Sequence, residues 1–207
     1  MNDSCCQGHI DVAVLNIKQR RILIIVLVIN AITFLMMIFA AKVSGSSSLL
    51  SGALDNFGDA MTYVLSLFVV GASLAAKARV AMFKGLLIFG AAIAVAFVIG
   101  ARILHPETPV FETMGIAAFI NLAANLLCLW LLTPYRNGDV NMSSAWECSR
   151  NDVSEGLAVI TAALAVWMFG SGWPDLVIAI GLLLLFLWSA TRVIHRAWQE
   201  LHPPVLQ

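Results

Sequence analysis

Six long apolar stretches divided by short polar breaks leave this chain few ways to fold. They cover residues 22–41, 49–76, 80–104, 110–133, 140–170 and 174–198. Each offers about 20 residues or more, the number a helix needs to cross a hydrocarbon layer about 30 Å thick. The breaks carry turn chemistry: Gly45 with its serines, Lys77 with Arg79, Pro106 and Pro109, Pro134 with Asn137 and Gly138, and the run from Gly170 to Pro174. With 60% hydrophobic and 12% charged residues, the chain holds about half the charge of a soluble domain. The expectation is an all-α integral membrane protein of six transmembrane helices. Residues 1–21 are a polar N-terminal segment without the apolar core or cleavage pattern of a secretory signal. Residues 22–198 make the six-helix domain, and 199–207 form a short tail with two prolines. No soluble domain is expected.

Orientation follows from the basic residues. Lys18, Arg20, Arg21, Lys77, Arg79, Lys84, Arg136, Arg192 and Arg196 gather on one side, against Lys42 and Arg102 on the other. Both termini are therefore expected in the cytoplasm, in a multi-pass protein of the cell's inner (plasma) membrane. A formal net charge of zero leaves no basic surface for a phosphate backbone, so nucleic acid is excluded as a partner. Cys5 and Cys6 are adjacent while Cys128 and Cys148 fall in apolar stretches, which is no disulfide framework. Reduced thiols are expected.

Chemistry concentrates in the second and fifth stretches. Asp55 and Asp59 are four residues apart, so on a helix they stand one above the other on one face. A carboxylate in hydrocarbon costs at least about 2.5–3.5 kcal/mol even on insertion scales, and a cation is the simplest compensation for two. Cys148 and Asp152 repeat the spacing downstream. Facing one another, the two helices would offer one thiolate and three carboxylates to a divalent metal. Glu147 points about 100° away from Cys148, and it and Glu155 suit an access path or proton handling. Arg150 also faces elsewhere, toward the interface or a neighbouring glutamate. Asn121 and Asn125 share a stripe of the fourth helix and are expected to bond a neighbouring helix. Cys128 reads as packing, and His105 and His195 are not expected to be ligands. Cys5, Cys6 and His9 bring soft-ligand chemistry to the N-terminal segment.

These motifs resemble the cation diffusion facilitator family. The run Gly45-Ser46-Ser47-Ser48-Leu49-Leu50 into Ala53-Leu54-Asp55-Asn56-Phe57-Gly58-Asp59 is similar to that family's second helix, whose motif is Asp or His, three residues, then Asp. Ala145-Trp146-Glu147-Cys148-Ser149-Arg150-Asn151-Asp152 is similar to its fifth, usually Ala-Trp-x-His-x-x-x-Asp, and Trp173-Pro174-Asp175 resembles the start of its last span. Cys148 stands where the family usually has His, which moves the expected preference from zinc toward cadmium. The C-terminal cytoplasmic domain of the family is expected to be missing, and the loop 134–139 has no histidine.

The resemblance implies a secondary transporter that exports zinc or cadmium from the cytoplasm by proton antiport with alternating access. The metal is cargo at Asp55, Asp59, Cys148 and Asp152, and no cofactor or enzymatic activity is expected. Such ligands must lose protons to bind metal, so proton and metal compete for them. No nucleotide-binding loop is present in the sequence. A homodimer formed through the membrane helices is also implied, with Gly85–Leu86 and the alanines of 91–96 available for contact. Two alternatives stay open: a transporter of harder ions such as manganese or iron, since three of four ligands are oxygens, and a membrane metal sensor or subunit that moves nothing.

Overall fold

The computed structural model describes residues 17–68, 74–105, 107–136 and 140–201. Six helices account for nearly all of them: α1 (Ile17–Ser44), α2 (Ser47–Phe68), α3 (Leu74–Leu104), α4 (Phe111–Leu132), α5 (Val140–Phe169) and α6 (Trp173–Leu201). A single 3-10 turn, Thr133–Tyr135, follows α4, and no strand occurs among the described residues. Among the described residues, five of the six are long and apolar enough to cross a membrane. The exception is α2, whose serines, Asp55, Asn56 and Asp59 lower its apolarity. Several helix ends differ from the expected stretches: α1 begins at Ile17 and not 22, α6 runs to Leu201 and not 198, and α3 begins at Leu74, inside the second stretch expected to reach residue 76.

Polar side chains within the helices are buried and many large apolar ones face outward. Asn30, Asp55, Asn56, Asp59, Asn121, Asn125 and Asp152 are all buried, whereas Phe97 is 76% exposed and Trp130 70%. Water would reverse that distribution, and a hydrocarbon surround produces it. At the centre, α2 contacts each of the other five helices, while α3 runs along α6 and α4 along α5. The helix that carries Asp55 and Asp59 thus lies where neighbours can satisfy it.

The α2 N-terminus shows how. The first four N–H groups of a helix have no partner within it. Here Ser46 N–H donates to Ser44 Oγ at 3.2 Å, and Leu49 N–H to Ser46 Oγ at 3.1 Å. The two between, Ser47 N–H and Ser48 N–H, donate to the Asp175 carboxylate on α6 at 2.6 and 3.0 Å. Ser46 Oγ donates to the same carboxylate at 2.6 Å, and Ser51 Oγ to the Ala179 carbonyl at 3.1 Å. An acid at a helix N-terminus is electrostatically favoured as well. Just before it, α1 ends on Gly45 at φ 74°, the left-handed closing residue that glycine accepts without a Cβ clash.

Close packing of α3 on α6 depends on Gly85, where an added Cβ would lie 2.6 Å from Ile194 Cγ1. Ala92 and Val95 of α3 are buried in a cluster with Leu176, Ala179 and Leu183 of α6. Gly85 and Ala92, expected to serve contacts between copies, are thus used inside the chain. The sequence marked α3 as a close-packing helix without saying against what.

Candidate metal centre

Asp55 and Asp59 occupy adjacent turns of α2, and Asp152 reaches them from α5. All three are buried, Asp59 and Asp152 to 2% exposure. One oxygen from each lies within 4.8 Å of the other two. Corners of a triangle with 4.8 Å edges lie about 2.8 Å from its centre, compared with about 2.0–2.2 Å for a zinc–oxygen bond. A contraction of less than about 1 Å would therefore seat all three on one ion. A carboxylate takes up a proton or a metal cation at the same oxygens, so the two compete for such a group.

Buried amides fix the helices that carry these acids. Asn56 Nδ2 donates to Asn121 Oδ1 at 2.9 Å, joining α2 to α4, and Asn125 Nδ2 donates to the Asp152 carbonyl at 3.4 Å, joining α4 to α5. Both asparagines of α4 thus bond a neighbouring helix, as their spacing suggested. Gly156 allows α5 to lie close to α4, since a Cβ there would be 3.2 Å from Leu122 Cδ1. The amides leave Asp55 and Asp59 on the face of α2 that meets α5.

The four residues singled out by spacing are brought together as three carboxylates with the thiol one turn away. Cys148 is buried at 4% exposure, one turn before Asp152 on the same stripe of α5. Its sulfur falls outside the group of three. Glu155, half-buried three residues past Asp152, is near enough for its charge to act on Asp55 and Asp59. Arg150 lies over the Trp146 ring, 5.4 Å from its centroid. Cys128 packs in an apolar cluster with Leu23, Val26 and Leu132, and neither it nor Cys148 is in a disulfide. His105 and His195 are exposed, His195 beside Gln199 at 3.0 Å. Cys5, Cys6 and His9 lie outside the described residues.

Two residues were misjudged from sequence. Lys84 was counted among the cytoplasmic basic residues, but it is 7% exposed within α3 and its Nζ donates to Thr62 Oγ1 on α2. In the expected stretch 80–104 it stands only four residues in, within reach of the interface for a lysine stem, so nothing in the sequence marked its burial. Asp175, seen only as part of a motif, is the shared cap of α2. Nothing local in the sequence pairs a residue at 175 with helix donors at 47 and 48.

Residues 23–202, well over half of the chain, match the family model for the cation efflux transmembrane domain. The chain belongs to the cation efflux family. Cation efflux proteins, also called cation diffusion facilitators, are transporters and not enzymes. Among curated cation efflux proteins it is similar to the metal cation efflux system protein CzcD of Cupriavidus metallidurans, 28% identical over 118 residues. The cation efflux system protein CzcD of an Alcaligenes strain is equally similar. The matched stretch covers 57% of this chain but only 35% of either relative.

Proposed function

We propose that this protein is a secondary transporter that exports a divalent metal cation, zinc or cadmium, from the cytoplasm in exchange for protons. The observation that carries the reading is the meeting of Asp55, Asp59 and Asp152 within 4.8 Å, buried in a bundle whose outer surface is apolar. Carboxylates at that depth call for a cation, and a transported ion that comes and goes requires a second occupant in its absence. Protons serve, because the ligands bind metal only when deprotonated. In this reading all six helices cross the inner membrane, both termini are cytoplasmic, and α2 and α5 present the ion alternately to the two sides. Cys148 would join the ligands by a small turn of α5, and two copies would associate through their membrane helices. The all-oxygen composition of the three-residue group favours a second reading, in which manganese or iron is the cargo.

Purified protein in proteoliposomes tests this, with an outward-facing metal dye and an internal pH dye. Zinc or cadmium movement should be matched by opposite proton movement. Asp59→Asn and Asp152→Asn should each lose it, beyond the roughly 10–100-fold effect of losing a group that only orients a ligand. Undiminished transport in either folded variant would sink the shared site.

A further inference from the structure

α3 carries a lysine where an apolar helix has little reason to keep one. Arg79, five residues earlier, is exposed, but Lys84 is buried and turned inward against α2. Its Nζ donates to Thr62 Oγ1, and that hydroxyl in turn donates to the Gly58 carbonyl at 2.8 Å. Thr62 continues the stripe of Asp55 and Asp59, at the fourth and seventh residues after Asp55. Lys84, Asp55 and Asp59 line one cavity between α2, α3 and α6, closed on the far side by Phe186 and Ile88. Its volume is about 20 Å³, room for one water-sized particle. Asp55 and Asp59 thus belong both to the group with Asp152 and to the wall of this cavity, which Lys84 shares.

We propose that Lys84 is a resident counter-cation of the carboxylate site and sets the ionic charge that the site accepts. This rests on reading Asp55, Asp59 and Asp152 as the cation site. A fixed positive charge beside two members of a three-carboxylate group leaves an incoming ion two charges to neutralise instead of three. It also repels every cation at the site, in proportion to the ion's own charge. Higher-valent ions are therefore penalised more than divalent ones. The divalent ion is held loosely enough to leave, as a transport site requires. The bond to Thr62 anchors the ammonium to α2 one turn past Asp59, from where its field acts on the site.

The test is calorimetric titration of the purified full chain in detergent at one fixed pH, with zinc alone and with terbium alone. Lys84→Gln removes the charge and keeps a group that can bond Thr62. It should tighten zinc about tenfold, and, because the repulsion scales with ionic charge, terbium about thirtyfold. Lys84→Met is a second uncharged variant should the glutamine fold poorly, and Lys84→Arg should restore the parent's zinc-to-terbium ratio. Zinc turnover in proteoliposomes should fall in the uncharged variants as release slows. Equal changes for the two ions, unchanged or weaker zinc binding, or an arginine variant like the glutamine one would overturn the role of Lys84. The site reading is judged apart from this: zinc binding absent from the parent, or unaffected by Asp59→Asn, would remove the site itself and the proposal with it.

Discussion

Removing the Asp175 carboxylate should unfasten one end of the central helix. In Asp175→Ala, Ser47 N–H and Ser48 N–H lose their acceptor, and the Ser46 hydroxyl loses its own. Each hydrogen bond to a charged group contributes about 1.5–3 kcal/mol net. The favourable placement of an acid at a helix N-terminus adds up to about 2 kcal/mol. These terms overlap, and water can reach a helix end more easily than a helix middle. The expected loss is therefore about 3 kcal/mol, below the roughly 4.5 kcal/mol that three such bonds would give at their lowest. Asp175→Asn keeps one acceptor oxygen and loses the charge, so about half that loss is expected. Unfolding in mixed micelles with rising SDS, followed by tryptophan fluorescence, gives both numbers on one scale. Hydrogen exchange at Ser47 and Ser48 should rise in the same order. A loss below about 0.5 kcal/mol in Asp175→Ala, the range of unremarkable surface changes, would refute the argument that this carboxylate secures α2.

Gly85→Ala should destabilise the fold by about 1–3 kcal/mol through overpacking of α3 against α6, because the new Cβ meets Ile194 Cγ1 at 2.6 Å. Adding Ile194→Ala should recover part of that loss in the same SDS titration, and a purely additive double variant would count against the contact. Cys148→Ser should weaken cadmium binding more than zinc and manganese least, since it removes the one soft donor near the site. Cys148→His should move the ranking back toward zinc. Equal loss of all three metals in the serine variant, read by titration at fixed pH, would leave the carboxylates as the whole ligand set.

Helical periodicity by itself determined which residues share a face. It set Asp55 above Asp59, Cys148 above Asp152 and Asn121 above Asn125, because a residue four positions on returns to nearly the same angle. Hydrophobicity determined that the chain is all-helical and suited to a membrane. Neither pattern says which face meets which helix, since apolar surfaces pack without a code that names the partner. Tertiary structure alone decided that Asp152 joins the α2 pair while the Cys148 sulfur stays outside, a matter of the rotation of α5. It also decided that Asp175 caps a helix more than 120 residues away. Counting charges along the chain treats each lysine as a surface charge at a loop, and so placed Lys84 in the cytoplasm. Burial of its ammonium against Thr62 beside Asp59 depends on α3 lying against α2 at that depth, a relation between helices that a sequence pattern does not contain.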